Sequence, residues 1–364
     1  MAEPAVLDRQ QAFSGTQDVR EPHRFDVRRL ENYLAERVDG FTPPLDVRQF
    51  KGGQSNPTYQ LITPPKKYVL RRKPPGKLLP SAHAVDREFR IISALYPTGF
   101  PVARPYLLCE DESVIGTAFY IMEHVEGRIY WGSLLPDQTP KQRHAVYEAM
   151  VETVARLHNF DWRALGLEDF GKPGNYVARQ IARWTKQYKA SETEHIDEME
   201  KLIEWLPQHL PDSPRDAIVH GDYRLDNMIL HPTEPRVLAV LDWELCTIGD
   251  PMADFTYHLM QWQMPGDSSN TGTSLLNADL PSLGIPTMEE YTRWYLARTH
   301  RDALPELDYY AAYNFFRLAG ILQGIVGRVR DGTAASAQAA ENASRVRPLA
   351  ARGWYFAKRA GAPG

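Results

Sequence analysis

The sequence predicts an α+β fold in two lobes, with a small antiparallel-sheet N-lobe followed by a larger, mainly helical C-lobe. Three observations lead there. A chain of 364 residues exceeds the usual size of one hydrophobic core, so two lobes are expected. Between Leu45 and Met122, short apolar runs alternate with turns rich in Gly, Pro and Asn, the spacing of strands and hairpins. Beyond Gly127 the apolar residues recur at three-to-four spacing over long stretches, as in amphipathic helices.

Residues 1–23 are read as a loose N-terminal arm, because the chain there is polar and aperiodic. The N-lobe, 24–122, opens with a helix on which Val27, Leu30, Leu34 and Val38 share a face, with Gly40 beyond its end. Leu45 to Phe50 reads as a strand, Lys51 to Asn56 as its turn and Thr58 to Ile62 as the returning strand; Lys67 to Arg72 is the next. Pro74-Pro75-Gly76 interrupts the chain before a helix from about His83 to Leu95, and strands at about Tyr106 to Glu110 and Ala118 to Met122 follow. Residues 123–127 connect to the C-lobe, 128–364. Its helices are expected at Pro140 to His158, Val177 to Tyr188, Ile196 to Leu206, Asp250-Pro251 to about Gln261, Met288 to Thr299, Leu307 to Val329 and Ala335 to Lys358. Gly320, Gly324 and Gly327 fall on one helical face, where close helix packing is the expected use. The long segment Met264 to Pro286 reads as a loop that is either functional or disordered.

Chemistry concentrates between Ile218 and Asp254. His220-Gly221-Asp222 is followed by Asn227 in an H-G-D-x4-N pattern flanked by apolar runs, and Val237 to Leu241 leads into Asp242-Trp243-Glu244. A hydroxyl attacking the γ-phosphorus of ATP needs one carboxylate to orient it and take its proton, which suits Asp222. Mg²⁺ needs hard oxygen ligands, which suits Asn227 and Asp242. Asp250 and Asp254, at the start of the following helix, read as structural acceptors for free N–H groups. His158, at the end of an apolar helical face, reads as a core or capping residue rather than a second acid-base group. Upstream, Gly52 and Gly53 permit backbone N–H groups to approach phosphates, and Ser55 and Asn56 add donors.

With Gly in place of the Arg of H-R-D and Asp-Trp-Glu in place of Asp-Phe-Gly, these motifs depart from the protein kinases and resemble the aminoglycoside phosphotransferase and choline kinase superfamily. GGQSNPTY is similar to the nucleotide loop of the branch that includes kinase-like domains fused to acyl-CoA dehydrogenases. The resemblance extends from about Leu45 to Asp254 and implies a protein-kinase-like fold that binds ATP and Mg²⁺. It sets YVLRR on the strand whose cation holds the α- and β-phosphates, which favours Arg71 and leaves Lys73, on the same strand face, as the competitor. It also gives Glu88 the role of that cation's helix partner, and makes Met122 to Gly127 the hinge, where main-chain groups of Glu123 and Val125 meet adenine.

Composition narrows the partners. A formal net charge of −4 provides no global field for nucleic acid. Two distant cysteines, Cys109 and Cys246, have no metal-type spacing and fit a reducing compartment. Without an apolar leader or a spanning run, the expectation is a soluble cytoplasmic protein with no membrane partner. The expected partner is a small-molecule hydroxyl acceptor. From Phe255 onward 11 Lys/Arg stand against 9 Asp/Glu, and Arg317, Arg328 and Arg330 read either as solvated helix faces or as contacts for an anionic group. Set beside the resemblance to domains fused to acyl-CoA dehydrogenases, this favours an anionic acceptor, a hydroxyacyl-CoA or hydroxy acid, over a polycationic antibiotic. The alternatives are an aminoglycoside or amino-alcohol kinase and a kinase-like protein that binds nucleotide without turnover.

Overall fold

The computed structural model describes residues 13–52, 56–74, 84–212, 215–266, 274–304, 306–330 and 339–364. The chain divides into two compact units. The first comprises Met1–Leu135, Arg163–Leu167 and Arg224–Cys246, and the second Pro136–Trp162, Glu168–Tyr223 and Thr247–Gly364. One divide therefore falls between Tyr223 and Arg224, inside the motif-bearing stretch, where the lobe limits read from the sequence have none.

The first unit holds a six-stranded sheet in the order β1-β2-β3-β4-β6-β5. Its strands are β1 Thr16–Gln17, β2 Asp46–Phe50, β3 Thr58–Ile62, β4 Lys67–Arg72, β5 Pro105–Cys109 and β6 Phe119–Glu123. All the neighbours pair antiparallel. Helix α1, Val27–Arg37, starts where the Asp26 side chain accepts from the Arg29 N–H. It buries Leu30 and Leu34 in a core with Tyr59, Leu61, Tyr68 and Leu70 of β3 and β4 and Phe119 and Ile121 of β6. Alternate residues of these strands face α1, as a period of two requires. The expectation of a loose arm is corrected at β1, which pairs with Gln49 and Phe50 of β2. A polar edge strand of two residues shows no periodicity to read. Helix α2, Val85–Leu95, buries Val85, Ile91, Ile92 and Leu95, and also Glu88. A hairpin of Met228–Leu230 and Val237–Val240 completes this unit. Gly127 lies against it so closely that a Cβ would collide with the Ile229 side chain and the Leu230 carbonyl.

The second unit is mainly helical: α3 Pro140–Asn159, α4 Tyr176–Ser191, α5 Asp197–Trp205, α6 Pro251–Leu259, α7 Met288–Thr299, α8 Leu307–Arg330 and α9 Ala339–Arg359. Thr139 and Gln142 form a capping box on α3, and the Thr287 hydroxyl caps α7. A short antiparallel pair, Ala217–Val219 with Thr247–Gly249, underlies the H-G-D segment. The described part of 264–286 is tied down by Ser274 Oγ donating to the Met264 carbonyl at 2.9 Å and the Trp262 indole donating to the Pro286 carbonyl at 2.9 Å. Among the described residues no helix is long and apolar enough to cross a membrane.

The glycine face of α8 receives α4. A Cβ on Gly320 would stand 3.7 Å from the Trp184 carbonyl, an ordinary contact, and one on Gly324 would meet the flexible end of Gln187. At Gly327 it would come within 2.6 Å of Ser191 Cβ and 3.0 Å of Ser191 Cα. Backbone-attached atoms cannot swing away, so Gly327→Leu is expected to lower the unfolding free energy by about 2 kcal/mol through overpacking. Urea denaturation reads this directly, and an unchanged midpoint would contradict so close an approach.

Candidate active site

In the first unit the chemistry is built around Arg71. Its place on the central strand β4 leaves it 8% exposed. Its Nε lies 2.7 Å from Glu88 Oε2, and an Nη lies 2.6 Å from Asp242 Oδ1 and 3.7 Å from Glu244 Oε2. Burial works against the charge of Arg71, but the carboxylates of Glu88 and then Asp242 outweigh it and hold its pKa above the ordinary value. Glu88 is fixed in turn, accepting from Asn56 Nδ2 at 2.8 Å and from the Tyr120 hydroxyl at 3.1 Å. A buried cation and carboxylate are each costly alone, so geometry of this kind is what makes the pair tolerable.

Asn227 and Asp242 stand at one end of the same hairpin. Met228 pairs with Val240, and the Leu241 N–H donates to the Asn227 carbonyl at 2.8 Å, so the two residues flank the last rungs. Asp242 takes a left-handed backbone, φ 64, where the strand gives way to the turn at Trp243. The Trp243 ring is buried against Phe100, and its indole donates to the Val240 carbonyl at 3.0 Å. An amide and a partly exposed carboxylate at one hairpin end offer hard oxygen donors of the kind Mg²⁺ takes, Asp242 Oδ2 beside the Oδ1 that meets Arg71. Elsewhere among the described residues, ligand atoms of Glu192, His195 and Glu200 approach within 4.8 Å of one another. There the Lys189 ammonium bonds Glu200 and lies 3.3 Å from Glu192, an ion-pair cluster.

In the second unit the H-G-D loop is braced from beneath. Buried Asp254 on α6 accepts the His220 N–H at 2.7 Å and the Gly221 N–H at 2.8 Å. Gly221 turns with φ 85, a conformation only glycine adopts freely. Burial alone would push the Asp254 carboxyl up, yet His158, 3.2 Å away, and the His220 contacts hold it below the usual range. His158 also bonds the Tyr295 hydroxyl at 2.7 Å and is fully packed, as its place on an apolar helical face suggests. Asp250 caps α6 by accepting from the Met252 N–H at 2.8 Å and takes a bond from the Tyr310 hydroxyl. Above this brace, half-buried Asp222 accepts from the Tyr257 hydroxyl at 2.8 Å. His258, on the same helix, is pushed down to about 4 by burial and stays neutral near pH 7.

The structure thus gathers Asn56, Arg71, Glu88 and Asp242 in one cluster, sets Asn227 beside Asp242 on the hairpin, and places Asp222 on its own braced loop in the second unit. Gly52 packs against the Phe13 carbonyl and the Trp131 ring. Gly53 and Ser55 lie outside the described residues. Lys73, at the end of β4, has no ion-pair partner among the described residues, so Arg71 is the cation that meets Glu88. The Glu123 N–H is taken by the Arg104 carbonyl at 2.8 Å. Among the described residues Val125 carries no such backbone bond.

One expectation is corrected. Arg317 does not face an acceptor, because it is 5% exposed and donates to the Gly221 carbonyl at 2.5 Å. Arg330, which is exposed, donates to the Glu192 carbonyl at 3.0 Å. The sequence reading missed Tyr257 and Tyr120, since no spacing rule connects Tyr120 to Glu88 or Tyr257 to Asp222.

The model of the phosphotransferase enzyme family matches residues 46–309. Acyl-CoA dehydrogenase family member 10 of Mus musculus is 45% identical over 347 residues, which are 95% of this chain and 32% of that protein. Family member 11 of Gallus gallus is 44% identical over 351 residues, 95% of this chain and 45% of that protein. The chain therefore spans about a third to a half of the length of these curated relatives. Among solved structures, a putative aminoglycoside phosphotransferase from Ralstonia eutropha JMP134 is 52% identical with a TM-score of 0.84, covering 92% of this chain and 99% of that one. Choline kinase from Cryptosporidium parvum has a TM-score of 0.64 at 10% identity, covering 92% of this chain and 97% of that one, and so speaks for the fold alone. The fold these share is that of the small-molecule kinases. With the family match extending over most of its length, the chain belongs to the phosphotransferase enzyme family.

Proposed function

We propose that this chain moves the γ-phosphoryl group of ATP to a hydroxyl of a small molecule in a Mg²⁺-dependent reaction. The observation that supports this most is the Arg71 cluster, where a cation is held by Glu88 from beneath and directed to Asp242 at the end of its hairpin. In this reading Arg71 binds the α- and β-phosphates, with Lys73 as the competitor; Gly52, Gly53 and Ser55 supply donors to the phosphates, while buried Asn56 supports Glu88 beside Arg71. Main-chain groups of Glu123 and Val125 meet the adenine. Asp222 orients the acceptor hydroxyl and takes its proton, while the Asp254 brace keeps the loop in place. Asn227 and Asp242 hold Mg²⁺, which when bound neutralises charge on the phosphate oxygens.

For the acceptor we infer a hydroxyacyl-CoA or a hydroxy acid. With Arg317 built into the loop support, this rests mainly on likeness to proteins named as acyl-CoA dehydrogenase family members. ATP consumption should be screened against hydroxyacyl-CoAs, hydroxy acids, choline-like amines, sugars and aminoglycosides. Turnover is expected with the acyl or acid acceptors; efficient turnover of an aminoglycoside with none of any anionic acceptor would overturn the assignment.

A further inference from the structure

Asp222 is approached by two side chains with no part in the chemistry described so far. The Tyr257 hydroxyl, on α6, donates to Asp222 Oδ1 at 2.8 Å. The Arg317 guanidinium, on α8, stands 4.8 Å from the centre of the Tyr257 ring and donates to the carbonyl of Gly221, the residue before Asp222. Among the described residues no carboxylate lies within ion-pair distance of Arg317, and its Nε is buried without a hydrogen-bond partner. The pocket around it is aromatic, with the Trp184 ring at 5.9 Å, and the Tyr313 hydroxyl and Trp184 indole N–H are likewise buried without partners. Burial works against the charge of this guanidinium, but the surrounding tyrosines and then Asp222 outweigh it. Its one hydrogen bond and its closest ring both lead to Asp222.

We propose that Tyr257 and Arg317 are positioning residues for Asp222. The Tyr257 hydroxyl holds the carboxylate in one rotamer through Oδ1, and Arg317 holds both the ring that carries this hydroxyl and the peptide that carries the carboxylate. Phosphoryl transfer depends on an acceptor oriented within a fraction of an ångström, so a carboxylate free to rotate loses rate without losing nucleotide. The inference rests on Asp222 being the base, and the test separates the two.

The probe is Mg-ATP with water as acceptor, followed as ADP formed in single turnovers with enzyme in excess, beside ATP affinity and melting temperature. Tyr257→Phe removes one oxygen atom. It is expected to slow turnover by about tenfold to a hundredfold while ATP affinity stays within about twofold, the pattern of lost orientation. Arg317→Lys keeps the charge but not the planar fork, and should fall between the parent and Arg317→Met. If Arg317→Met does not fold, Tyr257→Phe and Arg317→Lys decide the matter. Parent rates in Tyr257→Phe and Arg317→Lys, with Asp222→Asn inactive, would overturn the positioning role and leave the base assignment standing. A parent-like rate in Asp222→Asn would instead remove the base assignment on which it rests.

Discussion

Asp222→Asn is expected to lower kcat by about 10²–10⁴-fold and to leave ATP binding nearly intact, the loss characteristic of removing a general base. The substitution keeps the shape of the side chain and an oxygen that can still accept from Tyr257. The His220 and Gly221 amides stay clamped by Asp254, so the loop has no reason to move. What disappears is the charge that draws the proton from the acceptor. Steady-state rate and ATP affinity measured side by side give the answer, and retention of more than about a tenth of the parent kcat would sink the assignment.

Asp242→Asn should reduce the tightening of ATP binding by Mg²⁺ by at least about tenfold, since even indirect partners of a bound metal contribute that much. Asn is the informative replacement because it tolerates the left-handed backbone at this position, whereas Ala would add conformational strain to the loss of a ligand. It also leaves an acceptor for Arg71, which keeps Glu88 beneath it. Calorimetric titration of ATP with and without Mg²⁺ distinguishes the outcomes. An undiminished Mg²⁺ effect would move the metal away from this hairpin.

Much of the candidate site is legible because its residues come in short runs with strong local constraints. H-G-D-x4-N and D-W-E are spaced by strand ends, and the structure has strands at Ala217–Val219, Met228–Leu230 and Val237–Val240 around them. Asp250 and Asp254 read as structural from their place at the start of a helix; Asp250 accepts the Met252 N–H there, and Asp254 accepts the His220 and Gly221 N–H groups of the H-G-D loop. Arg71 and Lys73 are harder to separate, since both lie on one strand face. Which of them meets Glu88 follows only from the packing of α2, which brings Glu88 to Arg71. Arg317 is misread for a related reason: an arginine in an amphipathic helix belongs to solvent unless a neighbouring element covers it.

The sequence by itself determined the order and kind of nearly every element, because hydrophobic period and turn chemistry are local properties that survive without a fold. It offers candidates for the base and metal ligands for the same reason, since hard oxygen donors at strand ends are visible as residue types and spacings. The tertiary structure alone decided that Thr16–Gln17 joins the sheet, that the Met228–Val240 hairpin shares a compact unit with that sheet, and that Arg317 and Tyr257 support Asp222. Each of these depends on residues tens of positions apart meeting in a shared core. Which charges are buried follows from how helices and strands cover one another, and no local pattern encodes that cover.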